Sequence, residues 1–148
     1  MGEILGIFAS KGGVPKLPLD SAVVNKLGLA TDDQANKKYH GGIDRAVCIL
    51  GYDVMRRLQE EGHPITPGST GENILLSGFK LGIGEIIEIQ DVKLKIVSAA
   101  SPCYKISDSF LEGNFERMSN KKYPGDTRWY CRVLSEGEIK ISSAIDSL

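Results

Sequence analysis

Cysteine is scarce in this chain: three in 148 residues, at positions 48, 103 and 131, with no two in a C-x-x-C pair. That spacing excludes a zinc ribbon, and the odd count argues against a disulfide framework. The N-terminus lacks a basic segment followed by a long apolar core, so the expected setting is reducing and cytoplasmic. Long apolar runs are lacking too. None approaches the ~20 residues of a membrane span, so no membrane partner is expected. An excess of one charge is also missing. The 18 Lys and Arg against 19 Asp and Glu leave a formal net charge of −1. No nucleic-acid partner is therefore expected, although a local basic pocket for a small anion remains open. Heptads, internal repeats and low-complexity tracts are absent. So are a Walker A ending and any flavin, haem or iron–sulfur motif.

The chain does have glycine, 17 residues of it, together with 41% hydrophobic and 25% charged residues. Its length suits a single domain, 1–148, large enough to fold without disulfides or a structural metal. Many short apolar stretches read as strands: 3–9, 23–29, 46–50, 74–76, 86–89, 92–99 and 129–134. Ser135-Glu136-Gly137-Glu138 reads as a hairpin turn, with Ile139-Lys140-Ile141 as the returning strand. Tyr52 to Gly62 is the clearest helix. Val54, Met55 and Leu58 form its apolar stripe and Gly62 its stop. A further short helix is expected within 107–118, and 119–127 as a polar loop. Strands at short spacing with glycine turns predict a mostly-β fold. The expected form is a closed or nearly closed barrel with one clear helix and one or two minor ones.

The polar loops flank the core strands, and loops gathered at one barrel end are a usual ligand site. The sharpest feature is Ser101-Pro102-Cys103-Tyr104-Lys105. A proline turn closes the preceding strand and places Cys103 firmly. If the segment stays extended, Lys105 points to the same side and an ammonium there favours the thiolate. His40-Gly41-Gly42-Ile43-Asp44-Arg45 puts an imidazole, a carboxylate and a guanidinium into six residues before a core strand. Gly12-Gly13-Val14-Pro15-Lys16 and Pro67-Gly68 to Gly71-Glu72-Asn73 combine glycines with polar side chains. Cys48 reads as a core residue of its strand. Cys131, between Tyr130 and Arg132, should face away from both.

Taken together and in order, Gly13 to Lys16, His40 to Val47, Pro67 to Asn73, Ser101 to Lys105 and Trp129 to Leu134 resemble the MOSC domain. That domain forms the C-terminus of molybdenum cofactor sulfurases and also occurs alone. The resemblance implies a mostly-β barrel, a functional Cys103 and the molybdenum cofactor (molybdopterin) as ligand, held stably or in passing. It implies Lys16, Arg45, Lys105 and Arg132 as phosphate-binding cations. His40, Asp44, Glu72 and Asn73 would be hydrogen-bonding or proton-handling groups, and Gly41, Gly42 and Gly71 points of close backbone approach. In sulfurase-type members the cysteine carries sulfur as a persulfide. In relatives that reduce N-hydroxylated compounds it is a metal ligand. A non-catalytic cofactor-binding or delivery module is a third form. No pyridoxal-phosphate domain is present in these 148 residues, so the expected partner is a separate cysteine desulfurase or other sulfur donor. For a reductase it would be an electron-transfer protein.

Overall fold

The computed structural model describes residues 2–10, 12–32 and 42–142. Among these described residues, ten strands and one α-helix alternate with short 3-10 turns. The strands are β1 (Glu3–Ala9), β2 (Leu17–Leu19), β3 (Ser21–Asn25), β4 (Gly28–Leu29), β5 (Val47–Gly51), β6 (Ile74–Ser77), β7 (Ile86–Ile89), β8 (Val92–Ala100), β9 (Arg128–Ser135) and β10 (Gly137–Lys140). The helix, α1, spans Tyr52–Glu60. Seven strands make one sheet in the order β2-β1-β6-β5-β9-β8-β7, and β10-β3-β4 make a second. Among the described residues only β5 and β6 run parallel. They are joined through α1, because parallel neighbours need a crossover.

Each face of the large sheet has its own cover. On one side Ile4, Ile7, Ile49, Ile74, Ile96, Trp129, Cys131 and Val133 meet Val24, Leu29 and Ile139 of the small sheet. On the other, Leu5, Phe8, Leu50 and Leu75 meet Val54, Met55 and Leu58 of α1 and Ile106, Phe110 and Met118 beyond it. A register shift in β1, between Ile4 and Gly6, reconciles the two faces. The shift interrupts the two-residue period, so Ile4 and Ile7 share one face while Leu5 and Phe8 share the other. Gly6 is needed there, since a Cβ would stand 2.4 Å from the Phe8 ring.

The mostly-β expectation holds, but barrel closure does not. Among the described residues the sheets end in unclosed edges, β2 and β7 in one and β10 and β4 in the other. The cause lies at Glu136. There the chain leaves the large sheet, and β10 pairs with β3 rather than folding back on β9. The Glu136 carboxylate accepts the Lys26 N–H at 2.8 Å. Lys26 Nζ donates to the carbonyls of Val133 and Leu134 at 3.1 and 3.0 Å. These bonds fasten the crossing and replace the expected hairpin. Likewise 23–29 is two strands, because Asn25 Oδ1 accepts the Leu27 N–H at 3.0 Å and turns the chain.

Residues 104–118 form three 3-10 turns, Tyr104–Ser109, Leu111–Gly113 and Phe115–Met118, where one helix was expected. Extended Phe110 and left-handed Glu112 (φ 54°) break the helical path. The 119–127 loop is fastened by Asp126, which pairs with Arg57 and, at 3.0 Å, with Arg117. Among the described residues no helix is long and apolar enough to cross a membrane.

Candidate functional site

The loop before β6 closes on its own acid. Glu72 is fully buried; its carboxylate accepts the Gly68 N–H and the Thr70 hydroxyl, both at 2.8 Å. Burial pushes the Glu72 carboxyl up, against those two hydrogen bonds and the nearby Arg128 guanidinium. This side chain shapes the loop. Gly71, at φ 82°, then faces Val14, where a Cβ would come within 3.0 Å of Val14 Cγ1.

Asn73 joins three segments. Its Oδ1 accepts the Cys48 N–H at 2.9 Å, and its Nδ2 donates to the Phe8 carbonyl at 3.2 Å and to Asp32 Oδ2 at 2.9 Å. Asp32 also accepts the Ser10 N–H at 2.9 Å and the Lys16 ammonium at 2.8 Å. The Lys16–Asp32 pair is largely buried, with side-chain exposures of 10% and 1%. Lys16 therefore faces the site with its charge already matched.

Above this floor lies a cleft of about 90 Å³. Its wall includes Val14, Lys16, Arg45, Cys48, Thr70, Gly71, Asn73, Cys103, Lys105, Arg128 and Tyr130. Each main element contributes for a plain reason. The β8–β9 pairing sets Ala100 opposite Arg128, so strand β8 ends beside the cleft and delivers Cys103 to it. Cys103 is partly exposed, with extended backbone at φ −139°. The 3-10 turn starts at Tyr104, so Cys103 and Lys105 do not share the extended stretch expected. Both nevertheless line the cleft. On β9 the period of two sends Arg128 and Tyr130 to this face, while Trp129, Cys131 and Val133 go to the core. The Arg45 guanidinium sits 5.3 Å from the Tyr130 ring centre.

The structure redistributes the sequence-derived candidates. Lys16, Arg45, Gly71, Asn73, Cys103 and Lys105 meet at the cleft. Glu72 is turned inward. Gly42, at φ 96°, starts the 3-10 turn Ile43–Arg45 outside the wall. Asp44 and Arg132 pair with each other at 2.7 Å on the surface, both about half exposed, and neither lines the cleft. His40 and Gly41 lie outside the described residues.

Several residues on the wall were not expected there, and two of them, Cys48 and Arg128, bring a thiol and a charge. Cys48 is buried, as its apolar strand suggested, yet it faces the cleft. Burial pushes its thiol up, opposed by Arg128 and Lys16. Cys131 is also pushed up by burial and packs in the core. Arg128 is the second surprise. Its guanidinium donates to the carbonyls of Thr70 at 2.8 Å, Ser101 at 3.3 Å and Ala100 at 3.5 Å. The available signal was its two-residue spacing from Tyr130, which puts both side chains on one face of the strand.

Among the described residues no three His, Cys, Asp or Glu side chains converge to hold a metal ion. The chemistry on offer is a thiol beside several cations, one acid–base pair and an apolar rim.

Comparison with known proteins bears on the fold and the family. The family pattern of the MOSC domain matches residues 36–146. The chain is 28% identical over 141 residues to YflK of Bacillus subtilis, covering 92% of this chain and 63% of that protein. It is 25% identical over 141 residues to YiiM of Escherichia coli, covering 90% of this chain and 62% of that one. The chain thus spans a little under two thirds of the length of these relatives. Among solved structures, YiiM from Geobacillus stearothermophilus superposes with a TM-score of 0.68 at 23% identity, over 95% of this chain and 71% of the other. YuaD of Bacillus subtilis gives 0.69 at 15%, over 95% and 92%. These likenesses show the fold, and the match over residues 36–146 shows that the chain belongs to the MOSC domain family.

Proposed function

We propose that the cleft binds a phosphate-bearing molybdenum–pterin cofactor and that Cys103 is its working thiol, used for sulfur carriage. The observation that carries this reading is the placing of Cys103. It is a partly exposed thiol at the end of a core strand, on a wall shared with Arg45, Lys105 and Arg128. Thiolate is both the nucleophile for sulfur transfer and the soft ligand that a metal of this kind selects. The residues suit such a group: cations for the phosphate, a thiol for the soft centre and Val14 and Ile106 for an apolar body. When bound, the cofactor supplies a redox-active centre. The chain supplies the grip and the sulfur.

Sulfur loading is a simple exchange. The Cys103 thiolate attacks the outer sulfur of a persulfide on a donor protein such as a cysteine desulfurase. The donor's S–S bond breaks, its thiolate leaves, and Cys103 keeps the sulfur as a persulfide. No net oxidation occurs. Asn73 and the Lys16–Asp32 pair hold the floor of the cleft in place. The working location proposed is the cytoplasm, where a thiol stays reduced.

A second reading has Cys103 as the metal ligand of a reductase for N-hydroxylated compounds, fed by an electron-transfer protein. It is favoured by the same partly exposed thiol on the cleft wall, since a thiolate there is also a soft ligand for a metal centre. A single thiolate would then complete a metal already held by its own organic ligand.

The test compares wild type and Cys103→Ala made in a cell that synthesises the cofactor. Molybdenum is measured by elemental mass spectrometry, and persulfide by peptide mass spectrometry after incubation with a cysteine desulfurase and free cysteine. Persulfide on Cys103 with little metal supports the carrier. Near-stoichiometric metal lost in the variant supports the ligand role. No persulfide, and a metal content unchanged by the substitution, would sink both.

A further inference from the structure

His63 is the only imidazole among the described residues, and it lies outside the cleft. It follows the end of α1, where its N–H donates to the Leu58 carbonyl at 3.1 Å and fixes its backbone. The side chain is 7% exposed, and its ring meets the Phe110 ring in a T-shaped contact with centres 5.5 Å apart. Its Nδ1 accepts the Leu111 N–H at 3.1 Å. That bond selects the tautomer: Nδ1 bears no proton, so the neutral ring carries its proton on Nε2. Nε2 stands 3.5 Å from Glu61 Oε1. Glu61 takes two hydrogen bonds from Arg117, which hold its carboxyl below the ordinary value and keep it charged where imidazoles titrate. Arg117 also pairs with Asp126 of the 119–127 loop at 3.0 Å. Among the described residues the charged groups around the ring are thus Glu61 at the end of α1, Arg117 on the last 3-10 turn, and Asp126 behind it.

We infer that His63 is an acid-sensitive clasp: neutral, it fastens the 104–118 segment at Leu111, and on taking up a proton it lets go and loosens one wall of the cleft. A protonated imidazole is a donor at both nitrogens, so its Nδ1–H would face the Leu111 N–H donor to donor. That bond is lost however the surroundings shift the ring's affinity for the proton. Glu61 favours the cation, burial against Phe110 opposes it, and Arg117 already offsets part of the carboxylate's charge. These groups set the pH of release and not its direction. The position of Leu111 carries the effect to the site. The segment that it anchors starts directly after Cys103 and supplies Lys105 and Ile106 to the cleft wall. Ser109, two residues before Leu111, donates its hydroxyl to Ser69 Oγ at 2.8 Å, beside Thr70 and Gly71 of the same wall. Release at Leu111 therefore bears on two of the segments that line the cleft. The clasp operates whether Cys103 carries sulfur or holds a metal.

The 15N-labelled full chain is titrated by NMR from about pH 8 to about pH 5, the range in which histidine changes charge. The His63 ring nitrogens are followed together with the backbone amides of Leu111, Lys105, Ile106 and strand β9. The expected result is one shared midpoint for the ring and the first three amides, with the β9 amides steady. Protection of the Leu111 amide from hydrogen exchange, relative to a free chain, should fall about tenfold across that midpoint. His63→Asn offers a carbonyl oxygen that does not titrate in place of Nδ1, and its Leu111 protection should agree within about twofold at the two ends of the range. The clasp is overturned by a ring that does not titrate, by a ring that titrates while Leu111 stays protected, or by the same loss of protection in His63→Asn. A loss shared by β9 would be general unfolding and would overturn it too. Movement of Leu111 with Lys105 and Ile106 unmoved would remove the link to the cleft. The wild-type curves decide the matter even where His63→Asn folds poorly. Metal and persulfide on Cys103 are measured separately, so a failed clasp leaves those readings as they stand.

Discussion

Arg117 and Arg128 are the same side chain at the same burial, 8% and 7% exposed, and they do opposite things. Arg117 Nε and Nη2 each donate to a Glu61 carboxylate oxygen at 2.8 Å. Its Nη1 pairs with Asp126 at 3.0 Å, and Tyr123 stacks beneath at 4.2 Å. Two carboxylates more than match its charge, so the group is a latch that fixes the 3-10 segments and the 119–127 loop to α1. Arg128 is held by carbonyl dipoles, which orient a charge without cancelling it. Burial alone therefore does not mark a binding residue. The chemical kind of the partners does.

The contrast can be strained from either side. The largest effect is expected from Asp32→Ala. It leaves the Lys16 ammonium buried and unpaired and removes the acceptor for the Ser10 N–H and the Asn73 amide. A loss of about 3–5 kcal/mol is expected in urea denaturation. The extra unmatched charge should also tighten phosphate binding in whatever fraction folds. Arg117→Leu should cost less, about 2 kcal/mol, because Glu61 is 42% exposed and water screens the pair. Its phosphate affinity should equal that of wild type. If Arg117→Leu weakened phosphate binding as much as Arg128→Lys, the two arginines would not be different in kind.

The smallest effect is on pH dependence. The two hydrogen bonds from Arg117 hold the Glu61 carboxyl below its ordinary value of 4.5. Unfolding releases that carboxylate to a higher pKa. The stabilisation is therefore complete above about 4.5 and is lost as pH falls through the lower, folded-state value. Thermal melts of Glu61→Gln should lack this acid-side decline; an unchanged decline would move its origin to other carboxylates.

Much of this was legible in the residues themselves. The apolar runs of β1, β5, β6, β7, β8 and β9 and the stripe of α1 follow from local periodicity, and each formed. What failed depended on distant partners. Glu136 looks like a turn residue, but Lys26, far away in sequence, decides where the chain goes next. Edge closure is likewise a long-range matter that no strand pattern encodes. At the site, Cys103 stood out through the proline turn before it. Arg132 drew notice because it sits inside a recognisable block, yet its neighbour in space is Asp44. Arg128 lies just outside that block and gains meaning only when β8 brings Ala100 and Ser101 against it. Glu72 resembled a ligand contact because loop acids usually face solvent; its burial comes from Gly68 and Thr70 curling around it.

Strand β9 carries two messages in alternate letters. Trp129, Cys131 and Val133 spell the interior, while Arg128 and Tyr130 spell the binding surface. Substitution can revise either message without touching the other, so specificity can drift while the scaffold stays put. Loss or gain of one residue in this stretch would exchange the two readings at a stroke, driving a guanidinium into the interior and an indole into the cleft. The reading frame of this strand is thus the least negotiable part of the chain, and even-numbered positions along it are where a redesigned ligand preference should be sought.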